Sequence, residues 1–162
     1  MSNRLRRSAE AERALRRALE LNPNFALAHA MLGASLGAKG LHQEAIERAE
    51  LAMRLSPNDR GVGMFALLAL MGGHFGAGRY AECAIWSRRM IESNPEHIGG
   101  YQYLAATLAA QGEVGEAAEV RDALLRLRPE MSLAWIKENL PPTGEFAERV
   151  YEALRKAGIP EA

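Results

Sequence analysis

Residues 26–59 read ALAHAMLGASLGAKGLHQEAIERAELAMRLSPND, from Ala26 to Asp59. An apolar run through Leu32, Gly33 and Leu36 ends at Gly40, and an amphipathic run carrying Glu44, Ala45, Ala49 and Ala52 ends at Pro57. Glycine takes the left-handed backbone that closes a helix, and proline stops a helix while holding the preceding residue extended. The stretch therefore predicts two short helices folded back on each other, over 24–38 and 42–55, with Asn24 capping the first.

The same marks recur in register. Pro23, Pro57, Pro95 and Pro129 are spaced 34, 38 and 34 residues apart. Twelve residues before each stands a small side chain, Ala11, Ala45, Cys83 or Ala117, and directly before that a glutamate, Glu10, Glu44, Glu82 or Glu116. Gly40, Gly78 and Gly112 lie five residues ahead of the last three. The small residue lets a second helix lie close to the first, with Gly33 serving the same end from the other side. Self-similarity at this period marks stacked helical units, and over roughly residues 6–130 the pattern resembles the tetratricopeptide repeat family. The resemblance implies an all-α, right-handed α-solenoid of antiparallel helix pairs in a single domain, 1–162. Residues 4–23 are a lone second helix, 26–59, 64–97 and 98–131 are full repeats, and 132–162 hold a truncated repeat and a capping helix.

Three places depart from the period. The second repeat is delayed by four residues around Pro57 to Gly63, and Met71 replaces its expected glycine, so this pair splays or uses the small Cys83 in compensation. Gly72 to Gly78 is read as a loose helix end; no strand precedes it and no Lys-Ser/Thr follows, so it is not a phosphate loop. After Pro129, Leu133 and Trp135 open a helix that Asn139-Leu140-Pro141-Pro142 ends within two turns. Thr143 then caps a last helix over 144–157, closed by Gly158 and Pro160, which is expected to cover the apolar flank of the last repeat.

Composition removes several activities. Twenty basic and twenty acidic residues balance, so no overall field draws in nucleic acid or an anionic membrane. No uninterrupted apolar run reaches the ~18 residues of a membrane span. Arg6, Arg7, Arg13, Arg16 and Arg17 read as a solvated helix face, with Glu12 and Arg16 paired at i,i+4. His29, His42, His74 and His97 are scattered with no second ligand at i+4, and Cys83 is the single cysteine, so neither a metal nor a disulfide is expected. Cys83 is read as a buried small group. No catalytic residue and no cofactor is expected, and the setting is cytoplasmic.

In tetratricopeptide proteins the first helices line an inner groove where ligands lie. The resemblance places Leu27, Ala30, Ala34, Phe65, Leu68, Phe75, Gln102 and Ala106 there. The set carries no charge, whereas binding a terminal carboxylate calls for lysine, arginine or asparagine. The first helices are apolar nearly all the way round, which calls for burial on every side. A self-packed groove, a partner's apolar helix or a second copy of the chain would each supply it. The implied function is a non-catalytic protein-interaction scaffold for an apolar or helical partner segment. Residues 55–162 are also similar to the tail of bacterial class III adenylate cyclases, through His74-Phe75, Tyr80, Ile85-Trp86, Leu133 to Pro141, Phe146, Tyr151 and Leu154. That likeness implies an alternative, a regulatory or assembly tail of a cyclase or transcription regulator acting on a catalytic or DNA-binding partner.

Overall fold

The backbone turns where the glycines stand. In the computed structural model, which describes residues 3–139 and 145–162, Gly40, Gly78 and Gly112 have φ of 82°, 74° and 84°. Each closes a Schellman-type helix end. The glycine N–H bonds the carbonyl three residues back and the next N–H the one five back, as in Gly40 to Gly37 (3.2 Å) and Leu41 to Leu36 (3.0 Å). Ahead of three of the prolines, Ser56, Asn94 and Arg128 leave the helical region, with φ of −145°, −141° and −139° and ψ of 73°, 74° and 84°, as a following proline disfavours the helical backbone.

These stops delimit α1 (Asn3–Leu21), α2 (Ala26–Ala38), α3 (His42–Leu55), α4 (Arg60–Gly76), α5 (Tyr80–Ser93), α6 (Ile98–Ala110), α7 (Val114–Leu127), α8 (Leu133–Asn139) and α9 (Glu145–Lys156). The described residues contain no strand. They fall into two compact units, residues 1–73 and 74–162, divided inside α4 rather than at a proline.

In the first unit α2 packs on both α1 and α3. It buries all but one side, through Ala28, Ala30, Leu32, Gly33 and Leu36 among others, whereas α3 buries one side through Ala45, Ile46, Ala49 and Ala52. A Cβ on Gly33 would stand 3.1 Å from both the Ala45 carbonyl oxygen and Ala69 Cβ, so α2 lies hard against α3 and α4. A chain of polar contacts fastens α1. Lys39 binds Glu12, which accepts from Arg16 at 3.1 Å; Arg16 faces Glu44 at 3.7 Å, and Glu44 pairs with Arg48 at 3.3 Å. The Lys39 ammonium holds the Glu12 carboxyl below its usual range. Arg48 donates to His29 Nδ1 at 3.2 Å while His29 Nε2 donates to the Pro23 carbonyl at 2.8 Å. The Glu12–Arg16 pair was legible at i,i+4, but Arg16 also reaches α3 and is not a free member of a solvated face.

In the second unit α6 packs on α5 and α7. Tyr101 repeats the tether of His29, its hydroxyl donating to the Pro95 carbonyl at 2.9 Å. Ala45, Cys83 and Ala117 are all fully buried, as their shared place in the repeat requires.

Several local expectations are corrected. The second repeat does not start its first helix at 64: α4 begins at Arg60, so the four extra residues form an added turn. Asp59 Oδ1 accepts from the Val62 N–H at 2.9 Å and caps it. The helix does not loosen at Gly72 but runs buried to Gly76. A Cβ on Gly73 would meet Ile46 Cγ1 at 2.7 Å, so that glycine admits α3 rather than freeing the backbone. Asn24 does not cap α2; its own N–H goes to Asn22 Oδ1 at 3.2 Å, and Phe25 holds the cap position without a side-chain bond. Met71 and Cys83 are both fully buried. Leu140 to Gly144, including the expected cap Thr143, lie outside the described residues.

Candidate protein-docking surface

Among the inner positions expected in the first unit, Ala30 is fully buried while Leu27 and Ala34 on α2 and Phe65 and Leu68 on α4 stay half-exposed. They do not stand alone. Met31 and Ala38 continue the α2 series at helical spacing, and Met64 adjoins it on α4; all three are half-exposed too. The result is an uncharged apolar stripe on each of two helices that meet where Gly33 and Gly37 approach Ala69. Met31 and Met64 are not among the positions the resemblance assigns to the groove. Their place on the same helix side as Leu27 and Leu68 was the available signal.

The second unit is different. Phe75, Gln102 and Ala106, expected on the same inner side, are buried, and α9 packs on the helix that carries the last two. The terminal helix packs on α6, the first helix of the last full repeat, more than on its chain neighbour α8. Phe146 lies 5.9 Å from Phe75, centroid to centroid, and Tyr80 and Tyr103 lie 5.3 and 6.1 Å from Phe75, all edge to face. Arg149 Nη2 donates to the carbonyls of Phe75 at 3.0 Å and Gly76 at 2.9 Å. A cation thereby meets the negative end of α4. At the other end of α9, Ala157 joins the core formed by Leu104, Ala105, Leu108, Ala109 and Ala117. A small open cavity of about 140 Å³ remains between Phe75, Tyr80, Ala110, Arg149 and Lys156.

Cys83 and His97 sit in packing and capping roles. Cys83 accepts from Thr107 Oγ1 at 3.2 Å, and burial pushes its thiol up to about 11, so little thiolate is present near neutrality. His97 is a helix cap: its Nδ1 accepts from the Gly99 N–H at 3.1 Å, and desolvation holds its pKa below the usual value. Among the described residues no group of three or more His, Cys, Asp or Glu side chains is placed to hold a metal. No helix among them is long and apolar enough to cross a membrane.

No family model matches the chain, and no curated protein matches it. Among solved structures it is similar to MamA, with a TM-score of 0.63 and 20% identity over 90% of this chain and 84% of that one. At that identity the likeness is one of fold. The chain has the tetratricopeptide type of helical-repeat fold, built of antiparallel helix pairs.

Proposed function

We propose that the chain is a non-catalytic protein-interaction scaffold and that the stripe formed by Leu27, Met31, Ala34, Met64, Phe65 and Leu68 takes an apolar or helical segment of a cytoplasmic protein. The observation that carries this reading is the half-exposure of those six apolar side chains beside fully buried Ala30 and Ala69. Apolar surface left in water gains ~25 cal/mol per Å² when covered, less the ordering of whatever covers it. The two methionines add an adaptable surface. Neither a nucleic acid nor a lipid surface suits an uncharged stripe.

The test is affinity capture from the native cell with wild type against Leu68→Glu, followed by titration with the purified partner identified by mass spectrometry. Binding at least about tenfold weaker in the variant, equivalent to ~1.4 kcal/mol, is expected. Identical partners at identical affinity would rule the stripe out. A second copy of the chain as the occupant would appear as a dimer in light scattering.

The cyclase-tail likeness supports a second reading, a regulatory or assembly tail, because Phe75, Tyr80 and Phe146, three of the residues that carry it, gather in one aromatic cluster. A cyclase or DNA-binding domain encoded in frame ahead of Met1 would support it. Cyclic nucleotide made by the purified chain would overturn both readings.

A further inference from the structure

We propose that α9 is a resident occupant of a helix-docking site on the second unit, and that the partner helix able to replace it carries an aromatic anchor with an arginine three residues on. The proposal rests on the reading of the first helices' inner side as a docking surface and adds what the second unit accepts.

The seating of α9 is that of a ligand. Its apolar side, Phe146, Ala147, Val150, Tyr151, Ala153 and Leu154, is buried, while Glu148, Glu152, Arg155 and Lys156 stay in water. Its main surface is α6, some forty residues back along the chain, and not α8, which precedes it directly. The contacts are an aromatic side chain set among rings and a guanidinium on the carbonyls that end a helix, the features by which a separate amphipathic helix is recognised. Phe75, which the resemblance assigns to ligand contact, is engaged by Phe146; beside it Gly76 is bound by Arg149, Ala109 shares a core with Ala157, and Ala110 lines the small cavity with Arg149.

The two ends of α9 are held unequally. Past its C-terminus the chain is tied down: the Leu133 and Ala134 N–H groups donate to the carbonyls of Pro160 (2.8 Å) and Glu161 (3.0 Å), and Arg121 donates to the Ala157 carbonyl at 3.4 Å. The first two turns are joined to α4 through Phe146 and Arg149. A competitor therefore displaces that end first, and it must match the anchor, the arginine, and apolar residues at the places of Val150 and Leu154. Tethering gives α9 a high effective concentration, so the site stays closed to weak competitors.

The experiment titrates a fluorescein-labelled synthetic peptide of residues 145–159 into the full chain, wild type or Phe146→Ala/Arg149→Ala. The peptide is expected to bind the double variant at least about tenfold more tightly than wild type, because the variant's own helix competes less. Adding Phe75→Ala to the double variant should abolish the gain. Equal affinity for wild type and double variant overturns the proposal, as does failure to bind a double variant that keeps wild-type helical content. Should the double variant lose its fold, hydrogen exchange on wild type decides. Amides in the first two turns of α9 exchanging at least about tenfold faster than those of α6 support displacement, and equal protection overturns it. The peptide titration needs no cellular partner and the Leu68→Glu capture needs no peptide, so either reading can fail alone.

Discussion

Arg88 on α5 donates to Glu116 at the start of α7 across 2.7 Å. Arg16 and Glu44 occupy the same two places two repeats earlier in the chain, 3.7 Å apart. Each arginine lies five residues past the small residue of its own second helix, and each glutamate directly precedes the small residue of the next. The recurring glutamate, which had no mechanical role in the sequence pattern, thus ties one second helix to the next at Glu44 and at Glu116.

The Arg88 and Glu116 side chains are 45% and 46% exposed, so the pair orients more than it stabilises. Glu116→Gln should lower the unfolding free energy by less than about 1 kcal/mol. The difference should vanish at ~1 M salt. Urea denaturation at two salt concentrations measures both.

Two glycines of one helix should respond with opposite signs. A Cβ at Gly63 meets nothing within 4 Å, so Gly63→Ala should stabilise by up to about 1 kcal/mol through helix propensity. At Gly73 the new Cβ would stand 2.7 Å from Ile46 Cγ1 and 3.0 Å from the His42 carbonyl oxygen, so Gly73→Ala should destabilise by about 1–3 kcal/mol. Urea denaturation of the pair tests the sign.

His97 should make stability fall on mild acidification. Burial penalises its charged ring, and only the neutral Nδ1 accepts from Gly99, so the folded-state pKa lies below the ordinary 6.5. Below pH 6.5 the unfolded chain binds the proton first. The contribution of the cap is therefore complete above that value and is lost as pH falls through the folded-state pKa. His97→Asn keeps a capping acceptor and should remove this component of the pH dependence. His97→Ala should lose about 1 kcal/mol at pH 7.5. Thermal melts of the three proteins from pH 7.5 to 5 check it.

Cys83 should resist alkylation in the folded protein. Its sulfur is fully buried and its thiol is pushed up to about 11. Iodoacetamide at pH 8 should leave it unmodified over hours and label it rapidly in ~6 M urea, read by intact mass. Rapid labelling of the native chain would contradict the burial.

Helix borders were the most legible part of the fold. Ala38, His42 and Leu55 end or open their helices where the glycine and the proline placed them, and Tyr80, Val114 and Leu127 stand at the corresponding places of later helices. Those residues act through backbone sterics over a few neighbours. The half-exposed stripe on α2 and α4 was legible in Leu27, Phe65 and Leu68, but its methionines were not, because exposure is a property of the packed helix and not of the residue type. Gly72 and Gly73 misled for a related reason: glycine signals either a helix end or a close approach, and only the position of Ile46 separates the two.

By itself the sequence determined that this chain makes short helices in pairs, at a period of about 34 residues, with small residues where paired helices meet. Those features follow from the allowed φ and ψ of glycine and proline and from side-chain volume, both local. Only the tertiary structure decided that four extra residues become a turn of α4 and that Arg16 with Glu44, and Arg88 with Glu116, link one second helix to the next. It alone set α9 on α6, with Phe146 at Phe75. Residues 71 positions apart in sequence meet through the summed packing of everything between them, and no short pattern records that sum.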